Sequence, residues 1–591
     1  TATTAIYTLS LHDALPISYR NGVPMFTLEH FETDFADRHL VHGVVAKWAR
    51  ERSDHPALIF PETGKRYSYK EFDQQTTAIA LKLLDMGLRK GDFFATSLPF
   101  LAEHVFLEYA CFKIGVIHAP LDLRLKGPEV VRSLDLIKAK AFAFLGKTAV
   151  ADFSPLGRAV MENCGYVEHF VQFTTPEETI DGAVSVFEFG ADAMRLAKEA
   201  LSDPQNPLLK QFLAATAAVN ENDGCQVIYT TGSTGLPKPA LLSHRNIQSQ
   251  CMCLGGAFDI GADSRMLVNL PPSHVGGQAE QLMTPLFRGG TAVVLHIFNP
   301  EKTLEVIQNY KVDCFGQIPA LFAMEWRLPN YTSFDLSSLK FALYGGQQVT
   351  RQFLEQLSQM APKFGTGLGL TETGGFVTYT PLDGTVEDIL AGVGYDMPVT
   401  PMTIRRPMRP DGAAGAELPD GEPGEICFAG PQIFIGYVNN EEAYRATVST
   451  DGVCYTGDLG YKNETGLHFS GRSKLVIKPK GYQVHPAQIE EHFAGLTEKV
   501  AACAAVGAQH DVFTEGVILF VEQKPGANLT VADLEEHAKG IAAYMRPAHY
   551  VILNPGEFPL NRVAKTDYVL LKKQAKDEVD KLRKEGGWDQ G

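Results

Sequence analysis

The most informative stretch of this chain is Ile228–Lys238, Ile-Tyr-Thr-Thr-Gly-Ser-Thr-Gly-Leu-Pro-Lys. It interleaves hydroxyl side chains with glycines and ends on a lysine. Glycines allow backbone N–H groups to converge on an anion, while Ser, Thr and Lys add donors and a positive charge. The pattern therefore predicts a phosphate-binding loop at the end of a strand. The candidate phosphate-binding residues are Thr230, Thr231, Gly232, Ser233, Thr234, Gly235 and Lys238.

This loop is not a Walker A motif. Its spacing from Gly to Gly-Lys differs, and Pro239 stands where that motif has Ser or Thr. The alternative interpretation is a plain polar turn that joins a strand to a helix. Further motifs along the chain favour the phosphate loop.

Helix-like and strand-like segments alternate from about residue 40 to residue 430. This alternation predicts an α/β fold of layered subdomains with mainly parallel sheets. The predicted helices are Tyr69–Met86 and Glu103–Ile114, and the predicted strands are Phe93–Leu98, Val116–Pro120, Thr291–Leu295, Phe341–Leu343 and Glu425–Phe428.

The character of the sequence changes after Arg472, where a compact pattern predicts a small α+β domain. It includes a predicted helix at Val531–Tyr544 and a solvated helix or tail at Lys572–Gly587. We therefore expect a leader at residues 1–24, a large N-terminal domain at 25–472 and a small C-terminal domain at 473–591.

The leader does not read as a signal peptide. It has no basic start, and His12 and Asp13 interrupt the segment that should be apolar. Residues 1–18 instead resemble translated adaptor or vector sequence. We expect the natural chain to start at Met25.

Composition narrows the class of protein. Hydrophobic residues make up 45% of the chain and charged residues 21%, as in a soluble globular enzyme. The net charge of −16 argues against a general nucleic-acid binder, and no apolar run is long enough to cross a bilayer. The nine cysteines contain no Cys-x-x-Cys pair, so we expect free thiols and a cytoplasmic location. The sequence carries no signal for an oligomeric state.

Together with later motifs, the Ile228–Lys238 segment resembles the adenylate-forming superfamily of acyl- and aryl-CoA synthetases, nonribosomal peptide adenylation domains and luciferases. The resemblance extends from about Phe72 to Tyr568 and is greatest to acyl- or aryl-CoA synthetases. The later motifs, in the order of that family, are Tyr344–Gln348, Gly367–Glu372, Tyr455–Asp458, Gly471–Arg472 and Pro559–Lys565. Three positions depart from the usual pattern, namely Pro239, Leu368 and Ala564.

The resemblance implies an ATP-dependent acid:CoA ligase that forms an acyl-adenylate and then transfers the acyl group to coenzyme A. It also implies a mobile C-terminal domain that pivots near Lys474. The implied roles are adenine binding by Gly345, Gly346 and Gln347; nucleotide and Mg²⁺ binding by Gly369, Leu370, Thr371 and Glu372; ribose or phosphate binding by Asp458 and Arg472; contact with the carboxylate and α-phosphate by Lys565; and a thiol channel at Gly481. Glu372 is the implied metal ligand, since Mg²⁺ prefers oxygen.

The segment Pro271–Gln278 resembles the block that opens the acyl pocket in that family, where His274 is a candidate catalytic residue. No Asp stands nearby to hold an ammonium group, which argues against an amino acid substrate. We expect Gly276, Gly277, Gly374 and Gly375 to leave volume for an aromatic, cyclic or medium-chain acid.

Several alternatives stay open at this stage. The acceptor could be a carrier protein instead of coenzyme A, or the chain could be a non-catalytic nucleotide-binding relative. His274 could be a packed polar residue, Asp458 a turn or cap residue, and Lys565 a surface lysine.

Overall fold

The computed structural model describes residues 15–231, 237–472, 475–479, 484–511, 514–561 and 565–589. Two large sheets form its framework, and most of their strand pairs are parallel. In spatial order the first sheet contains Gly436–Tyr437, Pro237–Ser243, Gly224–Thr231, Ile117–Pro120, Phe93–Ser97, Ala141–Leu145, His169–Phe173 and Val184–Ser185. The second contains Phe364–Gly365, Phe341–Tyr344, Cys314–Gln317, Arg265–Val268, Thr291–Val294, Pro56–Phe60 and Lys65–Ser68.

Smaller antiparallel and mixed sheets complete the fold. One lies at the end of the large N-terminal part, and another in the C-terminal part. Their strands are Met402–Arg405, Gly424–Phe428, Cys454–Asn463 and Gly466–Arg472 in the former, and Val500–His510, Thr514–Gln523 and His549–Leu553 in the latter. Short two-stranded pairs are Tyr19–Arg20 with Val23–Pro24, Gly369–Leu370 with Gly375–Phe376, and Thr378–Tyr379 with Tyr395–Asp396.

Helices cover these sheets. The α-helices are Leu28–Thr33, Val41–Glu51, Tyr69–Asp85, Ala102–Lys113, Gly127–Ile137, Ser154–Asn163, Val186–Ser202, Pro207–Ala217, His244–Ala257, Thr284–Arg288, Pro300–Tyr310, Pro319–Trp326, Arg351–Met360, Val386–Ala391, Glu441–Arg445, Pro486–Ala494, Val531–Ala538 and Tyr568–Lys584. A π-helix spans Gly276–Met283. Among the described helices, none has both the length and the apolarity to span a bilayer.

Local sequence explains the clearest of these elements. The helix Tyr69–Asp85 begins with a capping box, in which Ser68 accepts from the backbone N–H of Glu71 and Glu71 accepts from that of Ser68. Strands such as Phe93–Ser97 are buried on both faces, as expected inside a parallel sheet. The predicted α/β class with a small C-terminal α+β part is confirmed.

The hydrophobic core is divided between the large N-terminal part and the small C-terminal part. The large sheets and their helices share an extensive apolar cluster, whereas residues beyond Ile477 pack in two clusters of their own. Val23 is buried in the large cluster although it falls in the predicted leader, whereas residues 19–22 are exposed. All nine cysteines are free thiols, and all except Cys503 are buried.

Two C-terminal predictions need correction. The helix predicted at Val531–Tyr544 ends at Ala538, two residues before Gly540, which is a poor helix former. The charged helix Tyr568–Lys584 is not solvated all round, because Leu571, Ala575 and Val579 are buried at helical spacing against the small sheet.

This packing predicts unequal effects for two adjacent leucines. Leu571 is fully buried while Leu570 is 40% exposed. We expect Leu571→Ala to lower the free energy of unfolding by about 2–4 kcal/mol through lost burial and a cavity. Leu570→Ala is the matched control and should cost less than about 0.5 kcal/mol. Denaturant unfolding followed in the C-terminal part measures both, and equal losses would contradict the assignment of the buried face.

Candidate active site

The predicted phosphate loop joins two paired strands. Gly224–Thr231 and Pro237–Ser243 are antiparallel, with Thr230 opposite Lys238. The predicted loop segment is therefore flanked by two antiparallel strands and not by a strand and a helix. Pro239 lies within the second strand, where its carbonyl accepts from Val438 N–H at 2.9 Å. Gly232, Ser233, Thr234 and Gly235 lie outside the described residues, as does the side chain of Thr231.

Glu372 occupies a short 3₁₀ turn, Thr371–Thr373, between the strands Gly369–Leu370 and Gly375–Phe376. Its Oε1 accepts a hydrogen bond of 2.6 Å from the Tyr437 hydroxyl. The Lys238 ammonium lies 5.2 Å from the centre of the same Tyr437 ring. Tyr437 thus connects the carboxylate of one predicted motif with the lysine of another.

Asp458 and Arg472 stand opposite each other in the strand pair Cys454–Asn463 and Gly466–Arg472. Arg472 Nε lies 3.3 Å from Asp458 Oδ1, yet that oxygen is buried and accepts no aligned hydrogen bond from the described residues. Burial raises the pKa of Asp458 to about 6, against the charges of Arg472 and Lys565. A buried carboxylate oxygen without a donor is suited to accept from a ligand hydroxyl. Asp458 is therefore not a cap or turn residue.

Lys565 comes from the C-terminal part and lies against the turn that follows strand Phe341–Tyr344. A Cβ added at Gly346, which has φ of +92°, would stand 2.8 Å from Lys565 Cε and 3.1 Å from its Nζ. The backbone N–H of Lys565 donates to Asn561 Oδ1 at 3.0 Å. Burial and the charge of Arg472 lower the pKa of Lys565, and the charges of Glu280 and Asp458 oppose that shift. Lys565 is therefore not a solvated surface lysine.

His274 precedes the π-helix Gly276–Met283. Its Nδ1 accepts from the Gly276 N–H at 3.0 Å, so this nitrogen carries no proton. Burial and the charge of Lys565 lower the pKa of His274 to about 4, which makes the ring neutral at pH 7. His274 is thus a packed polar residue, and it also lies near enough to Lys565 to take part in the site.

The structure adds a carboxylate that the sequence analysis missed. Glu280 Oε1 accepts from Phe376 N–H at 3.1 Å. Burial raises the pKa of Glu280 to about 7, against that hydrogen bond and the charge of Lys565. The available signal was a charged residue between the apolar Ala279 and Leu282. Tyr437 carried no comparable signal, because only folding brings it to Glu372.

The expectation that four glycines leave volume for the acid is wrong for Gly276, Gly277 and Gly375. A Cβ at Gly276 would lie 3.0 Å from His274 Nδ1, and one at Gly277 would lie 2.4 Å from the Pro271 carbonyl oxygen. A Cβ at Gly375 would lie 2.8 Å from Glu280 Oε1, and one at Gly374 would contact the Asn246 carbonyl. Gly276, Gly277 and Gly375 therefore allow protein atoms to approach closely instead of opening a cavity, whereas the contact at Gly374 is an ordinary one.

The remaining predicted residues surround this centre. Gly345 approaches the Phe376 ring, where an added Cβ would stand 2.8 Å away. The exposed positions are Gly346, Gln347 and Gly369, and the partly buried ones are Thr230, Lys238, Leu370, Thr371 and Glu372. Lys474 and Gly481 lie outside the described residues.

Two family models match this chain. The family model described as "AMP-binding enzyme" matches residues 45–438, and that described as "AMP-binding enzyme C-terminal domain" matches residues 488–565. The chain belongs to this family. The resemblance to adenylate-forming enzymes inferred from the motifs is confirmed.

Relatives of this AMP-binding enzyme include plant and bacterial proteins. It is 28% identical to 4-coumarate–CoA ligase 3 of Arabidopsis thaliana over 502 residues, which is 84% of each chain. It is 27% identical to feruloyl-CoA synthase of Amycolatopsis sp over 462 residues, covering 78% of this chain and 84% of the relative.

Solved structures share the fold at lower identity. The anthranilate CoA ligase AuaEII in complex with anthranoyl-AMP has a TM-score of 0.77 at 19% identity, with 93% of this chain and 99% of that chain covered. ATP-bound MatB from Rhodopseudomonas palustris has a TM-score of 0.73 at 22% identity, with 90% and 99% covered.

The close approach at Gly346 predicts a selective defect in this AMP-binding enzyme. Gly346→Ala would strain the backbone and displace the Lys565 side chain. Gly421→Ala is the matched control, because Gly421 has φ of +87° with open space around an added Cβ. We expect both to cost about 1–2 kcal/mol of stability, but only Gly346→Ala to slow acid-dependent pyrophosphate exchange, by about tenfold or more. Similar exchange rates in the two variants would contradict the contact.

Proposed function

We propose that this chain is an ATP-dependent carboxylic acid:CoA ligase that works through an acyl-adenylate. The observation that carries the proposal is the placement of Lys565 against Gly346, within electrostatic reach of Asp458, Arg472, Glu280 and His274. A cation at this position suits a reaction that must bring two anions, a carboxylate and a triphosphate, together.

The relatives support the nature of the acceptor and of the intermediate. The names of 4-coumarate–CoA ligase and feruloyl-CoA synthase specify coenzyme A as the thiol and an aromatic acid as the substrate. The AuaEII structure contains an aryl-adenylate, anthranoyl-AMP. We therefore propose an aromatic or cyclic acid for this chain, with medium-chain acids as the next class to test.

The nucleotide would be held by the phosphate loop, the turn at Gly345–Gln347 and the Asp458–Arg472 pair. The donors between Thr230 and Lys238 suit the phosphates. By the family resemblance, Gly345, Gly346 and Gln347 would lie beside the adenine. Asp458 would accept from ribose hydroxyls, since its buried Oδ1 has no aligned donor among the described residues. Arg472, which lies beside Asp458, would donate to ribose or phosphate.

In the first half-reaction a carboxylate oxygen attacks the α-phosphorus, the bond to pyrophosphate breaks and the acyl-adenylate forms. Lys565 would offset the charge that develops on the attacking and equatorial oxygens. His274 is neutral, so it adds no charge near the acid. In the second half-reaction the thiol sulfur attacks the acyl carbon, loses its proton to solvent and expels AMP.

The residues present also fit a divalent cation. Glu372 offers a carboxylate next to Tyr437, whose ring lies 5.2 Å from the Lys238 ammonium. Among the described residues, the Tyr437 hydroxyl is its one side-chain donor, and it bonds to Oε1. Mg²⁺ held there would neutralise phosphate charge. Thr371 and the turn Gly369–Leu370 would position this carboxylate.

Lys474 and Gly481 lie outside the described residues, so their roles are carried by sequence resemblance alone. We propose that the chain pivots near Lys474, between a large domain at residues 25–472 and a small one at 473–591. Rotation would withdraw Lys565 after adenylation and bring Gly481 to the thiol path. We also propose a cytoplasmic location, with which the free cysteines accord.

Two other functions remain as alternatives. A stand-alone adenylation enzyme would deliver the acyl group to a carrier protein, and a nucleotide-binding relative would perform no chemistry. Acid-dependent exchange of pyrophosphate into ATP, measured with a panel of acids, separates enzyme from binder. Thioester formation with coenzyme A or with a carrier protein then separates the two ligases.

Removing the lysine should separate the half-reactions. We expect Lys565→Ala to slow adenylation about 100- to 1,000-fold, the usual effect of losing one preorganised charged contact. Thioester formation from supplied acyl-AMP should change little. Lys576→Ala, at an exposed position of helix Tyr568–Lys584, is the control. Equal losses in both half-reactions, with unchanged circular dichroism, would refute this role.

The metal assignment makes a second prediction. Activity should require Mg²⁺ or Mn²⁺, and Glu372→Gln should raise the Mg²⁺ concentration for half-maximal exchange about tenfold or more, because an amide is a weaker ligand than a carboxylate. The exposed Glu422→Gln variant should behave like the original chain. A metal titration of exchange activity measures the shift. Full activity of Glu372→Gln at low metal would exclude Glu372 as a ligand.

A further inference from the structure

Two histidines and a glutamate meet in the interior of the large N-terminal part. His104 and Glu108 lie one turn apart on helix Ala102–Lys113, and His118 belongs to strand Ile117–Pro120. All three residues are 0% exposed. One nitrogen of each histidine and one oxygen of the carboxylate lie within 4.8 Å of one another. The helix thus presents an imidazole and a carboxyl group to a second imidazole on the sheet.

A backbone contact fixes the proton of His104 on the side away from this group. Its Nδ1 lies 2.8 Å from the Pro99 carbonyl oxygen, which can only accept, so Nδ1 carries the proton and Nε2 the lone pair. That lone pair faces His118 Nε2 at 3.3 Å. A histidine that binds a metal ion commonly donates its other ring N–H to a backbone carbonyl or a carboxylate, as His104 does.

The other two members are also prepared for a partner. His118 Nδ1 is buried and makes no hydrogen bond among the described residues, because Glu108 Oε2 is 3.7 Å away. Gln226 and Gln278 donate to the two oxygens of Glu108, at 3.3 and 3.0 Å, and so orient this carboxyl group. Carboxylates that bind metal ions are hydrogen-bonded in the same manner.

Thr96 adds a hydroxyl to the group. Its Oγ1 lies 2.9 Å from His104 Nε2 and 3.1 Å from His118 Nε2. A hydroxyl has one proton and can donate to only one of these nitrogens, but its oxygen can face an ion bound by both.

The charges of the group favour a cation. Burial lowers the pKa of His104 to about 4 and that of His118 well below its ordinary value, so both rings are neutral and offer lone pairs at pH 7. Burial raises the pKa of Glu108 to about 8, so this carboxyl keeps a proton at pH 7 unless a cation replaces it. A bound divalent ion would release that proton to solvent and pair with the carboxylate.

The spacing suits a small transition-metal ion. Bonds of about 2.0–2.1 Å at a tetrahedral angle place two ligand atoms about 3.3 Å apart, which is the distance between the Nε2 atoms of His104 and His118. Three ligand atoms that are all 4.8 Å apart would each move about 0.7 Å to bind such an ion. Because the ion occupies the space between its ligand atoms, it requires no separate cavity.

We propose that His104, Glu108 and His118 hold one divalent transition-metal ion, with Zn²⁺ as the typical case and the Thr96 hydroxyl beside it. Imidazole nitrogens suit Zn²⁺, whereas Mg²⁺ prefers ligand sets made of oxygen. Since the three ligands are fully buried, the ion would enter as the chain folds and would join the helix to the sheet. This site is separate from the Mg²⁺ proposed at Glu372.

Metal content tests the site with the full chain. We would produce the chain in minimal medium with Zn²⁺ or Co²⁺, use an affinity tag without histidine, remove loose metal with EDTA and gel filtration, and measure the remainder by plasma mass spectrometry. We expect about one ion per chain to be retained, and less than about half an ion with both metals would overturn the proposal.

The spectrum of the Co²⁺-loaded chain identifies the ligands. Nitrogen and oxygen ligands give visible absorption without the sulfur-to-cobalt charge-transfer band that thiolates add in the near ultraviolet. We expect the first pattern. A charge-transfer band would place the ion on the cysteines and overturn the proposal.

Variants locate the ion. Glu108→Gln and His118→Asn should each lower the retained metal about fivefold or more. Glu221→Gln is the matched control, because Glu221 belongs to a second group of three candidate ligands, on the surface, where Arg245 pairs with it. Both this variant and Glu372→Gln should retain the ion. Undiminished metal in folded Glu108→Gln and His118→Asn would overturn the assignment.

A measurement on the original chain covers variants that do not fold. X-ray absorption of the Zn²⁺-loaded chain should show scattering from two imidazole rings and no sulfur neighbour. Sulfur neighbours, or the absence of imidazole scattering, would overturn the proposal. Neither result depends on the ligase activity.

Discussion

The Lys565 side chain reaches the turn at Gly346. The charged groups Asp458, Glu280 and Arg472 act on this lysine. Asp458 and Glu280 raise the pKa of this lysine, while burial and Arg472 lower it. Because Lys565 lies beyond Arg472 in the chain, the C-terminal part completes a centre that the large part cannot form alone. A site divided in this way can be assembled and dismantled without unfolding either core.

A second, buried polar cluster around Glu108 connects two elements of the site that belong to the large N-terminal part. Glu108, on helix Ala102–Lys113, accepts from Gln226 at 3.3 Å and from Gln278 at 3.0 Å. Gln226 belongs to the strand that leads to the phosphate loop, and Gln278 to the π-helix beside the acid. Burial raises the pKa of Glu108 to about 8, so a proton on this carboxyl at neutral pH removes a buried charge. The two glutamines thereby fix the loop strand relative to the pocket helix.

Sequence reasoning succeeded where local pattern determines structure. Helix Tyr69–Asp85 has its capping box in adjacent residues, and Phe93–Ser97 and Phe341–Tyr344 are apolar runs of strand length. It failed where the outcome depends on distant neighbours. Gly375 reads as empty space in the sequence, but the missing side chain faces Glu280 and Gln250, which lie about a hundred residues away. Ala575 and Val579 stand among charged residues, and only the small sheet against them shows that they are buried.

The buried cysteines have a practical consequence for the study of thiol chemistry in this chain. Burial raises the pKa of Cys251 to about 12 and shifts other thiols in the same direction, so thiolate is scarce at neutral pH. The folded chain should then react slowly with disulfide reagents such as Ellman's reagent. Coenzyme A, whose thiol is free in solution, can be followed colorimetrically against this low background. A rise in protein labelling would report loss of the native fold.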